Sequence, residues 1–114
     1  MAAGDVVVLS DLRVSGQRFM GGTVTLDGGN PTPIALSAYM SSVLTGVACL
    51  QGTGAPGADP NSVSCVVNGS TLDVYAWKVT TGGAAGNPTE VASTDNARLI
   101  HWFAIGIDLP RKGS

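Results

Sequence analysis

The sequence predicts an all-β fold in one small domain, and the prediction starts from what the composition lacks. Of the 114 residues, 44% are apolar and only 12% are charged. Ordinary domains are about 25% charged, and a long amphipathic helix would need Glu and Lys along its outer face. The 16 glycines and 6 prolines indicate many turns. Because Val and Thr are abundant, the composition is not that of a disordered segment either.

Residues 1–20 are predicted to form either an arm that docks on a neighbouring molecule or an edge strand. Two aspartates and two arginines lie around the apolar run at residues 6–9. No basic stretch precedes that short run, so we expect no secretory signal peptide. No apolar run approaches the roughly 18 residues of a membrane span, and the bases are too scattered to favour nucleic acid. We therefore expect neither a membrane nor a nucleic acid as partner.

Three short strands are predicted before residue 51. The first covers residues 23–26 and ends at the turn sequence Asp-Gly-Gly of residues 27–29. In residues 33–51, several apolar side chains fall at helical spacing, yet the stretch contains no Glu, Lys or Arg. Its Ser, Thr and β-branched residues favour strands at about 34–37 and 43–50. A helical turn is the alternative there.

A β-hairpin is the clearest local pattern. Two β-rich runs, residues 62–67 and 70–79, flank Asn68-Gly69, the dipeptide typical of a two-residue type I′ turn. Such a turn would place Val67 directly opposite the first residue after the glycine. The period of two then assigns these side chains to one inner face: Val63, Cys65, Val67, Leu72, Val74 and Ala76.

The run at residues 98–109 predicts a strand that is covered on both faces. Its two parities are both apolar, which is the pattern of a strand with no solvent face. Such a strand either lies centrally in its sheet or has its second face covered by another subunit. Gly106 indicates a bulge or a close approach of another backbone. One parity holds Leu99, Phe103, Ile105 and Ile107, and the other holds Ile100, Trp102 and Ala104.

Two loops are predicted at residues 52–61 and 81–88, where Gly, Ala, Pro, Thr and Asn dominate. The first contains a G-x-G-x-x-G spacing at residues 52–57, as in dinucleotide-binding turns. That chemistry needs a helix to follow the turn, and Pro56 and Pro60 prevent one from starting there. We therefore expect no cofactor.

No catalytic or metal-binding constellation stands out in the sequence. Cys49 and Cys65 are too far apart for a zinc motif, and we expect two buried free thiols, with a disulfide as the alternative. The only histidine, His101, is flanked by Ile100 and Trp102, which indicates a core or interface position. The carboxylates do not pair at short spacing, so neither a glycosidase dyad nor a calcium loop is predicted. The chain is not expected to be an enzyme.

The candidate functional residues are apolar and aromatic, and they point to protein contacts. Tyr75 and Trp77 lie on the second face of the hairpin, where they could cover a subunit contact or form a platform for a sugar ring. The expected interface set combines these aromatics with the N-terminal run: Val6, Val7, Val8, Leu9, Phe19, Tyr75 and Trp77.

Several motifs resemble a family of short phage structural proteins. The segment W-F-A-I-G at residues 102–106 is similar to the W-I-A-I-G close of small phage virion domains. The resemblance extends over residues 22–106, through G-T-V-T-L-D-G-x-N-P-T-P, T-G-V-A-C-L-Q-G-T-G-A-P-G, D-V-Y-A-W-K and N-P-T-x-V-A-S-T. Phe103 stands where the family has Ile, and His101 replaces Ser or Asp, so no sugar-binding residue is carried over.

The resemblance implies a fold and a role. Such proteins are similar to head decoration (cement) proteins and to tail-fibre tips with an H-type-lectin-like sandwich, and both assemble as trimers. The fold expectation is a single antiparallel β-sandwich of about six to eight strands, with its core at residues 21–109 and a tail at 110–114. The implied role is a homotrimer on the capsid surface, bound to the major capsid protein and assembled in the host cytoplasm. The alternative is a virion domain that binds host-surface glycans.

Overall fold

The fold is a β-sandwich of two antiparallel sheets, which confirms the predicted all-β class. The computed structural model describes residues 3–50, 60, 62–81, 88–95 and 97–110. The predicted loops at 52–61 and 81–88 and the tail beyond residue 110 lie largely outside these residues. No helix in the described ranges is long and apolar enough to cross a membrane. The eight strands of this part of the chain are β1 Val6–Val14, β2 Gln17–Thr25, β3 Thr32–Ala35, β4 Met40–Leu50, β5 Ser62–Asn68, β6 Thr71–Thr81, β7 Pro88–Ala92 and β8 Leu99–Asp108.

The two sheets each have a central strand that organises the others. Sheet A has the order β1-β2-β8-β4, so β8 pairs with β2 on one side and with β4 on the other. Sheet B has the order β3-β6-β5, and β7 pairs with the later part of β6. The core lies between the sheets. Its fully buried apolar side chains include Met20, Val24, Ile34, Leu72, Val74, Ile100 and Ala104.

Strand β8 lies centrally in its sheet, which was one of the two predicted alternatives. The predicted cover on both faces is not found within the described residues, since Phe103 and Ile107 of the other parity are exposed. Ile100, Trp102 and Ala104 point into the core and are buried. The predicted close approach at Gly106 is also confirmed, because a Cβ built there would collide with the Ser42 carbonyl oxygen and the Met40 sulfur. The register between β4 and β8 shifts at this point, where the backbone of β4 passes close to the Gly106 Cα.

The hairpin β5–β6 has the predicted faces but not the predicted register. Val67 lies opposite Leu72, and Asn68 lies opposite Thr71, so the two-residue loop is Gly69-Ser70 and the type I′ prediction was wrong. Gly69 has φ +62°, and a positive φ at the first loop residue alone is the arrangement of a type II′ turn. The shift is by two residues, so every side chain keeps its face.

The N-terminal segment forms an edge strand rather than a free arm. Strand β1 pairs along β2, and the register shifts between Val8 and Ser10, which leaves Leu9 as an unpaired bulge residue. The expected boundary between residues 20 and 21 falls inside β2, because Gln17–Thr25 is one continuous strand. In residues 33–51, both predicted strands form, joined by one helical turn in which the Met40 amide donates to the Leu36 carbonyl.

The collision at Gly106 makes a stability prediction. Gly106→Ala should destabilise the domain by about 2–3 kcal/mol, because the new methyl group meets backbone that cannot move without breaking the β4–β8 pairing. The matched control is Gly21→Ala on the neighbouring strand, where a Cβ would meet chiefly the movable Ser10 hydroxyl, at 3.0 Å. Urea denaturation measures both variants, and equal losses would contradict the proposed backbone collision.

Candidate functional site

The outer face of sheet A is the candidate site, and the strand pairing defines it. Reading across β1, β2, β8 and β4, the outward side chains form four rows of four, and none of them is Asp, Glu, Lys or Arg. The low proportion of charged residues in the whole sequence is thus found again on this face. The rows are Val7-Thr23-His101-Cys49, Ser10-Gly21-Phe103-Val47, Leu12-Phe19-Ile105-Thr45 and Val14-Gln17-Ile107-Ser42.

Large apolar side chains on this face remain in contact with water. Val47 of β4 is 62% exposed and Leu12 of β1 is 60% exposed, and these two residues lie on opposite edge strands of the sheet. Between them, Phe103 lies beside Gly21, where an added Cβ would be 3.4 Å from the ring. An aromatic ring beside a strand glycine compensates for the missing side chain. The face therefore combines exposed apolar side chains, which also include Val14 and Ile107, with uncharged polar ones such as Gln17.

An ionic cluster around Arg18 lies on the inner side of this sheet, at one end of the sandwich. Arg18 is buried and binds Asp11 through two hydrogen bonds, Nε to Oδ1 at 2.8 Å and Nη2 to Oδ2 at 2.6 Å. Its Nη1 donates to the Tyr39 carbonyl at 2.8 Å and lies 3.5 Å from Asp108. The hydrogen bond from Arg18 lowers the pKa of the Asp11 carboxyl against the opposing effect of burial. This cluster closes the end of the core where apolar packing stops.

A shallow depression of about 610 Å³ lies next to this cluster. Arg13 and Asp108 contribute its charges, and they pair with each other at 3.4 Å. The Ser41 hydroxyl, also in its wall, donates to the Ile107 carbonyl at 3.4 Å. The described residues contain no group of three or more side chains that could hold a metal ion.

The expected interface residues of the N-terminal part of the chain do not all lie on the outer face of sheet A. Val7 and Phe19 belong to the outer face of sheet A, and Leu9 projects from the β1 bulge with 68% of its surface exposed. Val8 instead packs against the core, and Val6 lies opposite the buried Val24. These residues are thus divided between the outer face and the edge of the core.

Tyr75 and Trp77 lie on the opposite side of the sandwich. Both belong to the outer face of sheet B, opposite Ser64 and Ser62 of β5. Both are half-buried, and the Trp77 indole donates to the Ser64 hydroxyl at 3.1 Å. They therefore form a second surface, separate from the outer face of sheet A.

Two sequence predictions about buried side chains were wrong. Cys49 and His101 are both exposed, and they lie opposite each other on the outer face of sheet A. Of the two positions predicted for His101, the core position is wrong because its parity in β8 is the outward one, and the interface position stays a prediction. Cys65 is half-buried, its thiol donates to the Gly46 carbonyl at 3.3 Å, and burial raises its pKa. Both cysteines are free thiols.

Sequence reasoning missed most of the exposed apolar residues of this face. Leu12, Val14, Val47 and Ile107 were not among the expected interface residues. The signal that could have found them is that β8 has apolar side chains on both of its faces, which indicated that its second face is also removed from water. Extending that argument to the neighbouring strands required the register, which only the structure supplies.

A scan against protein-family models, a search of curated proteins and a search of solved structures each return no match for this chain. The resemblance to phage virion proteins stays a prediction from sequence motifs.

The Asp11–Arg18 pair predicts a specific pH dependence of stability. The folded pKa of Asp11 lies below its unfolded value, so the stabilisation is present above that unfolded value and is lost as the pH falls through the folded one. Asp11→Asn should cost about 1 kcal/mol at pH 7, a value reduced for the partial exposure of this carboxylate. Urea denaturation at pH 7 and at about pH 2.5 should show this difference shrinking in acid. A difference that is the same at both pH values would contradict the ion-pair explanation.

Proposed function

We propose that this chain is a phage capsid decoration protein, which binds the outer surface of the head shell and stabilises it without catalysing a reaction. The observation that carries the proposal is the uncharged, apolar outer face of sheet A. A surface of this kind marks a contact with another protein. The motifs shared with phage virion proteins supply the setting.

The energetics of such a role suit a small domain. Burying apolar surface stabilises by about 25 cal/mol per Å² before the costs of association are subtracted. A modest gain at each site, repeated over a shell, shifts the whole particle toward its intact form by mass action. The partners in this proposal are the major capsid protein and further copies of the chain in a homotrimer. The location is the capsid surface, after assembly in the host cytoplasm.

The non-enzymatic part of the proposal is supported by the form of the outer face. Cys49 and His101 lie opposite each other, which resembles the start of a nucleophile–base pair. On its other side, however, His101 lies opposite Thr23, so the row holds no carboxylate to orient the imidazole. The pair also lies on an open sheet face and not in a cleft that would exclude water.

Binding to heads tests the proposal directly. Heads of the encoding phage, purified from a strain that lacks this gene, are mixed with the purified chain and sedimented. We expect saturable binding at a copy number comparable with that of the major capsid protein, and DNA release at a higher temperature than from undecorated heads. Isolated tails serve as the control. Binding to tails alone, or saturation at a few copies per particle, would overturn the proposal.

A second candidate function is glycan binding through the outer face of sheet B. Tyr75 and Trp77 lie on one face, two residues apart, as a sugar platform requires. The Trp77 indole nitrogen is already hydrogen-bonded to Ser64, so stacking and not hydrogen bonding would carry such binding. Glycan-array binding that Trp77→Ala abolishes and Val47→Lys leaves intact would place this candidate ahead of decoration.

A further inference from the structure

We infer that the outer face of sheet A is the surface through which two copies of this chain bind each other, sheet against sheet. The inference goes beyond the proposed function and does not rest on it, because a face that packs against its own copy joins two chains, whereas the proposed function has a homotrimer. It concerns the isolated chain in solution and so can be tested without phage particles. Four properties of the face support a second copy as the occupant: its size, its shape, its charge and the state of the neighbouring edge.

The area of the face is in the range of interfaces that associate weakly and reversibly. Strands lie about 4.8 Å apart and same-face residues about 6.8 Å apart, so four rows across four strands cover about 500 Å² in plan. Leu9 and Leu44 are also exposed, at the register shifts of the two edge strands. Stable interfaces bury about 800 Å² on each partner, and weaker ones less than about 600 Å². Association should therefore depend on concentration.

The shape of the face favours another sheet as its partner. Twisted sheets pack face to face about 10 Å apart, with their strands inclined by about 30°, because both sheets twist in the same sense. A second copy of sheet A has the same twist and the same strand lengths. In such a contact, the large side chains along the middle of the face, Phe19, Phe103 and Ile105, would fill the space between the sheets.

The charge of the face also favours a copy. A partner with a charged surface would lose hydration on this face and gain no opposite charge in return. A second copy presents an uncharged apolar face of its own, and the net charge of −2 gives little repulsion between copies. The ionic cluster around Arg18 stays clear of the contact, because it lies on the inner parity of β1 and β2.

Edge-to-edge pairing through β1 is less favourable than face-to-face packing. The bulge at Leu9 interrupts the regular spacing of backbone donors and acceptors along that edge. Asp11 and Arg13 place charges along the same edge strand, and Asp11 is held by Arg18. Both features are ways in which edge strands avoid pairing with other chains. The sheet face is therefore the better contact surface.

Sedimentation equilibrium of the full chain tests the inference over a hundredfold dilution from about 100 µM, a range that covers micromolar affinities. We expect a weight-average mass that rises from the 11.5 kDa of the monomer toward twice that value as the concentration increases, and that falls again on dilution. Val47→Lys and Leu12→Lys, at opposite edges of the face, should each weaken association at least tenfold. A lysine in either position would bury an unpaired charge at the contact.

Val66→Lys is the matched control, because Val66 is also a strand valine, is 52% exposed and lies in sheet B. It should associate like the unchanged chain, and far-UV circular dichroism should show that all three variants are folded. A monomeric unchanged chain at every concentration would overturn the inference, even if the same protein saturates phage heads. Equal loss of association in all three variants would also overturn it. A dimer would support the contact and correct the trimer of the proposed function.

Discussion

The central strand β8 is apolar on both of its faces, and the domain is organised by how each face is removed from water. The inner parity is covered by sheet B, with Ile100, Trp102 and Ala104 buried in the core. The outer parity is not covered within the chain, and Phe103 and Ile107 remain more than 40% exposed. Strands β2 and β4 follow the same division, since their outward side chains carry no charge. The fold thus removes the inner face of β8 from water, and only contact with another molecule would remove the outer face.

Close backbone contacts and the ion cluster around Arg18 help to hold the inner half of the structure together. At Gly106, β4 crosses so near that no Cβ fits, and at Gly22 the same is true of β1. Both bulged edge strands can therefore bend over the core only because glycine lies beneath them. At the end of the sandwich, Arg18 joins Asp11 of β1 to Asp108 of β8. These contacts fix β1 as part of the sheet, so its apolar residues belong to a defined surface.

Much of the fold could be predicted from sequence, because period-two patterns report which side chains share a face. The hairpin faces were right even though its register was displaced, since a shift of two residues preserves parity. Burial was harder to predict. Both parities of β8 are apolar, so the pattern could not tell which one faces the core, and the core alternative for His101 was wrong for that reason. The Arg18–Asp108 contact joins residues 90 positions apart, which no local pattern indicates.

The most direct measurement of whether the outer face of sheet A is covered is the alkylation rate of Cys49, which lies on that face. Iodoacetamide labelling of the unchanged chain should be slow for Cys49 at high protein concentration and should accelerate on dilution. Cys65 is half-buried with a raised pKa, so it should react slowly throughout and serves as the internal reference. In Val47→Lys, Cys49 should react at the fast rate at every concentration. A fast rate that does not change with concentration in the unchanged chain would contradict the account.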